Sequence, residues 1–208
     1  MVKLFNIEKI GKSNAVFNPE KLQWLNGHYI RAADDGRIAG ILLEDFKAVF
    51  TAAGISEDEL RRLFAEGRVC EIVGLAKQKV KTLKELADIL APVLSVAPRV
   101  LPTELPAVVS SWTKAKLGEP LAQVLRELEH LAKGASSDLL AVGVDAKALE
   151  TVYRAASERY NLKMVELAQP TRLMVMGSLV GPSLFDVLVR MPWPVVQKRL
   201  ASYSDVLG

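Results

Sequence analysis

A chain of 208 residues can hold one large domain or two modest ones, each with an adequate core. Half of the residues are hydrophobic and a quarter are charged, which excludes a disordered polymer. A net charge of +3 admits RNA as a partner but is too small to define one, and scarce aromatics beside abundant Ala, Leu, Lys and Glu favour helices over a β-sandwich.

Taken in chain order, the N-terminal run MVKLFNIEKIGK lacks the apolar core of a signal peptide. Asn18 and Pro19 then form a cap and first turn, followed by Leu22, Leu25 and Tyr29 at helical steps. Trp24 and Tyr29 are expected in the core, with Asn26 satisfying backbone groups at the helix end. A helix over Leu43 to Ala53 carries Phe46, Val49 and Phe50 on one face and stops at Gly54. Ser56 and Glu59 have capping-box spacing ahead of Leu60, Leu63 and Phe64, and Gly67 closes that helix. A longer helix is expected from Val69 to Leu90, ending before Pro92. It contains Cys70, the only cysteine, which excludes an intrachain disulfide and reads as a small core residue in a reducing cytoplasm.

Pro92, Pro98, Pro102 and Pro106 mark an extended connection and the best domain boundary. Trp112 is placed on a short helix, followed by a helix from Pro120 to Ala132. Asp145 caps a helix bearing Leu149, Val152, Tyr153, Ala156 and Tyr160. Three short helices close the chain: Pro170 to Met176, Pro182 to Arg190 and Pro194 to Tyr203. The apolar stretch Leu173 to Val189 is too interrupted, by Gly177, Gly181-Pro182 and Asp186, to span a bilayer. The expectation is an all-α, cytoplasmic protein with no membrane partner, built as two helical subdomains after a short N-terminal helical piece.

Catalytic chemistry is sparse. His28 and His130, the only two histidines, lie far apart, with no cysteine or carboxylate at metal-ligand spacing. There is no P-loop, no G-x-G-x-x-G and no recognisable nucleophile set, so no catalytic or metal site is assigned.

Three segments resemble bacterial glutamyl-tRNA synthetases of class I. Lys21-Leu22-x-Trp24-x-Asn26-x-x-Tyr29-Ile30 resembles the segment after their catalytic core, in the domain that touches the inner side of the tRNA elbow. Val80 to Leu90, VKTLKELADIL, resembles the proximal anticodon-binding domain, with Lys79 where the family usually has Arg. Gln169 to Phe185 resembles the distal one, where Arg172, Gly177, Pro182, Leu184 and Phe185 keep the pattern. Thr171 stands there for Leu, Gly181 for a small polar residue and Ser183 for Gly. Met191-Pro192-Trp193-Pro194 departs from the Leu-Gly-Lys-Glu of many relatives.

The resemblance implies a stem-contact remnant over residues 1–45, a proximal anticodon-binding subdomain over 46–98 and a distal one over 99–208. It implies tRNA(Glu), with tRNA(Gln) as a second candidate, as partner of a monomer that does not bind DNA. The catalytic domain, with its ATP and magnesium, would lie elsewhere, and this chain carries no cofactor of its own. KIGKS (Lys9 to Ser13) and GHYI (Gly27 to Ile30) imitate the ATP-binding signatures of such enzymes, but in the wrong order and too close together.

By the same resemblance Arg172, Gly181, Pro182 and Leu184 would read the second and third anticodon bases, with Leu184 offering a surface to a base. Lys79 would meet the first. A lysine there replaces a bidentate fork with a point charge, and relaxed choice between the two tRNAs would follow. Lys21 and Arg31 would reach backbone phosphates. Lys77, Lys81 and Lys84 share a face of the expected long helix and form either a phosphate rail or a solvated surface. Lys12 is open between the same two readings. The competing function is a stand-alone helical module, derived from such a synthetase, that binds a protein.

Overall fold

The computed structural model describes residues 18–96 and 111–201. Lys12, the KIGKS string, Pro98, Pro102, Pro106 and Tyr203 lie outside them. Eleven α-helices and no strand occur among the described residues, in keeping with the all-α expectation.

Helix α1 (Pro19–Ala32) starts as expected, with the Asn18 side chain accepting from the Lys21 amide at 3.0 Å. The expected helix over Leu43 to Ala53 is two helices, α2 (Asp35–Asp45) and α3 (Lys47–Ala52). Asp34 caps α2 by accepting from the Arg37 amide at 3.0 Å, so that Ile38, Ala39 and Leu42 turn inward. Phe46, at φ −118° and ψ 19°, breaks the run and lets α3 bury Phe50. Helix α4 (Glu57–Ala65) has the expected Ser56 cap, 3.2 Å from the Glu59 amide. Gly67 takes the left-handed conformation, at φ 76°, that ends α4 and opens α5 (Arg68–Ala76).

The long helix expected from Val69 to Leu90 does not form. After α5 come a 3-10 turn at Lys77–Lys79, an extended Val80 and then α6 (Leu83–Leu94). The physical cause is a cap inside the run. Thr82 accepts from the Glu85 amide at 3.1 Å, and Glu85 accepts from the Lys81 amide at 2.8 Å. The break turns Val80 into the core. Pro92 lies inside α6 rather than beyond it.

In the second half α7 (Lys114–Ala132) begins at Lys114 instead of Pro120, capped by Thr113. Trp112 precedes that cap, outside any helix, and is buried. Asp145 caps α8 (Ala146–Arg159) as expected, 2.8 Å from the Ala148 amide. Helix α9 (Met164–Met176) begins before Pro170, so Arg172 sits well inside it and does not open it. Helices α10 (Leu184–Arg190) and α11 (Trp193–Ala201) follow.

Helices α2, α4 and α6 pack on α5, and α3 packs on α6; α8 packs on α7, α9 and α10, and α11 on α7 and α9. Contacts of α6 with α9 and of α5 with α10 join the halves. Two arginines brace that joint. Arg68, at the start of α5, pairs with Asp138 at 2.6 Å and donates to the Arg190 carbonyl. Arg199, only 4% exposed on α11, donates to the Pro92, Val175 and Ser95 carbonyls at 2.6, 2.7 and 2.7 Å. These carbonyls end α6 and α9, where a cation is favoured by the helix dipole and by otherwise orphaned acceptors.

Arg199→Met should destabilise the protein by about 3 kcal/mol or more in urea unfolding, because buried carbonyls lose their donor. Arg199→Lys should fall between, since an ammonium cannot reproduce the planar fork. A loss within the range of ordinary surface substitutions would contradict this bracing.

At the surface, hydrogen bonds and charge from Lys47 and then Arg61 hold the Glu57 carboxyl down at about 2. Its folded value lies below its unfolded one. The contribution of the pairing is therefore present above the usual carboxylate range and is lost as pH falls toward 2. Carboxyl NMR titration should show this low midpoint, and Lys47→Met should raise it.

Candidate nucleic-acid interface

The Arg172 cluster is built from three helices. Tyr153 on α8 is fully buried, and its hydroxyl donates to Thr171 on α9 at 3.0 Å. Thr171 in turn donates to the Leu167 carbonyl at 2.8 Å. Burial pushes the Tyr153 phenol well above its ordinary value, so it serves as a neutral donor. Its ring lies 5.2 Å from Phe185 on α10, so one side chain sets the register of α8, α9 and α10.

The next residue, Arg172, is half-buried, and Nη1 donates to the Pro182 carbonyl at 2.7 Å across the α9–α10 turn. Burial draws its guanidinium below the ordinary arginine value, yet the group stays cationic. Met176 lies beneath it, with Sδ 3.7 Å from Nη1. Gly181 closes the cluster, since a Cβ there would come within 3.1 Å of Met176 Cε and 3.6 Å of Arg172 Nη1. The structure thus brings Arg172, Gly181 and Pro182 together. Leu184 belongs to the same turn, but only 4% of it is exposed, so its side chain supports α10 from within. Met176 has no signature of its own in the sequence beyond its spacing of four from Arg172.

The lysines do not form one rail. Lys77, with 13% of its side chain exposed, pairs with Asp35 at 2.7 Å and donates to the Ala33 carbonyl at 2.8 Å. It ties α1 to α2. Lys84 is exposed and paired with Asp88 at 2.6 Å. Lys79 and Lys81 are exposed on the turn between α5 and α6. Among the described residues neither makes an ion pair.

Helix α1 is seated against that turn. Asn26 donates to the Lys81 carbonyl at 2.6 Å rather than serving its own helix end. A Cβ at Gly27 would stand 3.4 Å from the Val80 carbonyl and 3.5 Å from Lys81 Cα, so α1 runs past the turn at ordinary contact distance. On the same helix Lys21 is exposed, and Arg31 is half-buried with Nη1 3.1 Å from where a Cβ at Gly27 would stand. The core placement expected for Trp24 and Tyr29 is wrong: they are 62% and 61% exposed. The helix buries only Gly27 and Ile30, and the local turn it packs against is too small to cover its aromatics.

No three of His, Cys, Asp and Glu among the described residues come together as metal ligands, and no described helix is long and apolar enough to cross a membrane.

These features define an all-helical module that holds an arginine against an interhelical turn, with a second cationic patch at the α5–α6 break. Residues 42–203 match the anticodon binding domain family, and the chain belongs to it. It is 32% identical over 199 residues to a glutamate–tRNA ligase of Herminiimonas arsenicoxydans, covering 96% of this chain and 37% of that protein. A glutamate–tRNA ligase of Cupriavidus metallidurans is 30% identical over 209 residues, covering 97% and 38%. The chain thus spans under two-fifths of the length of the curated relatives it matches, in their C-terminal part. A crystal structure of a glutamate tRNA ligase from Elizabethkingia meningosepticum shares the fold, with a TM-score of 0.62 at 20% identity, over 98% of this chain and 36% of that one.

The tight contact at Gly181 is open to test. Gly181→Val should push Met176 and Arg172 apart and cost about 1–3 kcal/mol in thermal or urea unfolding. Gly181→Ala should cost less, because the methionine tail can rotate away. Equal stability of all three proteins would contradict the packing described.

Proposed function

We propose that the chain is the tRNA-binding, anticodon-inspecting part of a glutamate–tRNA ligase, with tRNA(Glu) as its partner and tRNA(Gln) as a second. The observation that carries this reading is the Arg172–Pro182 bond, set within a match to the anticodon binding domain family. Anticodon bases lie in a single-stranded loop, so their Watson–Crick edges can be splayed out and hydrogen-bonded by a protein. Nη1 of Arg172 is occupied by Pro182, and Nη2 and Nε make no hydrogen bond among the described residues. Those donors are the ones a base would take. A fork whose orientation is already fixed loses less entropy on binding than a free surface arginine.

Around that fork Gly181 and Pro182 contribute backbone, while Leu184 shapes the turn. Lys79 takes the first anticodon base as a point charge, which favours neither tRNA strongly. Lys12, Lys21, Arg31 and Lys81 contact phosphates; Lys84 does so if it leaves Asp88. Lys77 acts through the α1–α2 joint. The ligation itself, with its ATP and magnesium, belongs to the portion of the relatives outside this match. The protein acts as a cytoplasmic monomer, and its contribution is the placement of tRNA.

Filter binding with tRNA(Glu) at several salt concentrations tests this. Arg172→Ala should weaken binding about tenfold or more, with the salt slope little changed. Lys81→Ala should weaken it modestly and lower the slope by about 1. The two tRNAs should bind comparably to the wild type, and Lys79→Arg should restore preference for tRNA(Glu). Wild-type affinity in Arg172→Ala would contradict the reading.

A further inference from the structure

The joint between the halves holds a cleft of about 320 Å³, a size suited to small molecules, whose sites favour such boundaries. Its two sides differ in chemistry. The first half supplies an apolar wall, with Leu63 on α4, Ile72 on α5 and Leu94 on α6. The second half supplies polar groups: Ser136, Ser137 and Asp138 between α7 and α8, and Arg190 at the end of α10.

The carboxylates that line the cleft are already engaged. Asp138 pairs with Arg68 at 2.6 Å and accepts from the Ala141 amide at 3.0 Å. Glu59 and Glu66 share Arg62, at 2.6 and 3.3 Å. Donors are left over. Arg190 uses Nη1 on the Asp186 carbonyl at 2.9 Å, and among the described residues its Nε and Nη2 make no hydrogen bond. Nor do the Ser136 and Ser137 hydroxyls, although the Ser137 carbonyl accepts from the Trp193 amide at 2.8 Å and fixes that segment. A half-buried guanidinium with unused nitrogens beside two hydroxyls suits a carboxylate, whose two oxygens match a planar fork of donors. Glu59 and Glu66, on the side of the first half, disfavour a second negative charge.

We propose that this cleft binds a small monocarboxylate with an apolar body, of the aliphatic or arylalkanoic acid class. The carboxylate lies on Arg190 with Ser136 and Ser137, and the body lies on Leu63, Ile72 and Leu94. One molecule then spans the joint and tightens it. Arg68 opens α5, while the Lys79 turn follows the other end; Arg190 ends α10, while the Pro182 turn precedes its start. Each helix keeps its ends about 10 Å apart. The ligand therefore leaves both cationic neighbourhoods open to tRNA, and its binding does not rest on the anticodon reading.

Titration of the ¹⁵N-labelled chain with 4-phenylbutyrate tests this. Saturable shifts are expected at the Ser136, Ser137 and Leu94 amides, with a Kd of about 1 mM or tighter and a rise in melting temperature. The uncharged 4-phenylbutyramide should bind about tenfold more weakly. Arg190→Gln should remove the difference between acid and amide, while keeping the backbone carbonyl that Arg68 uses. Ser137→Ala should weaken the acid about threefold. Equal binding of acid and amide by the wild type would overturn the proposal. So would shifts that fall elsewhere or are absent at about 10 mM. Inorganic phosphate displacing the acid from the same amides would overturn it as well, by marking a general anion site.

Discussion

Arg199 is the constraint on which the rest of the structure depends. One guanidinium, almost wholly removed from water, donates to the Pro92, Ser95 and Val175 carbonyls, joining the ends of α6 and α9 to α11. Buried carbonyls at helix ends have no partner of their own, and a buried cation has no water. Each solves the other's problem. Ser95 extends the chain of contacts by donating to the Ala53 carbonyl at 2.6 Å, which brings the end of α3 into the same joint. Arg68 secures the opposite side through Asp138. The halves are held by directional polar contacts as well as by packing, so their relative orientation is specified rather than loosely apolar.

That rigidity matters because the two cationic neighbourhoods lie in different halves. Arg172 sits on α9, which Arg199 ties to α6 through the Val175 carbonyl. Lys79 and Lys81 precede α6, whose far end is tied at Pro92. A tRNA loop that meets both is measured against a fixed span. Within the distal neighbourhood the physics is of preorganisation: Tyr153 and Thr171 set the helix register, Met176 fills the floor, and Pro182 holds one arm of the fork. Around the α5–α6 break it is of point charges on a turn, suited to phosphates and tolerant of sequence.

Much of the helical punctuation was legible in the sequence because local chemistry decides it. Asn18, Ser56 and Asp145 cap where their side chains can reach an amide three residues on, and Gly67 ends a helix where φ must be positive. The errors share a cause. Periodicity runs smoothly through Val69 to Leu90 and through Leu43 to Ala53, but Thr82 with Glu85 caps a new helix inside the first, and Phe46 leaves helical geometry inside the second. The Thr82 signal was present and outweighed by an apolar pattern. Trp24 and Tyr29 failed differently: apolar character predicts burial only where another element is present to cover it. Arg68 and Arg199 were invisible for a further reason, since a lone arginine on a helix reads as solvated until tertiary contacts place carbonyls around it. The Arg172 turn was found through resemblance. Its bond to Pro182 and the contact with Met176 emerge only from the packing of α9 and α10.

Under the proposed function this chain meets tRNA at the anticodon loop. Chemical footprinting of the Watson–Crick edges of tRNA(Glu), with and without the protein, tests it most directly. Protection concentrated at the second and third anticodon bases, and lost in Arg172→Ala, is the result expected. Protection confined to the acceptor stem or elbow, with the anticodon bases fully reactive in the complex, would contradict it.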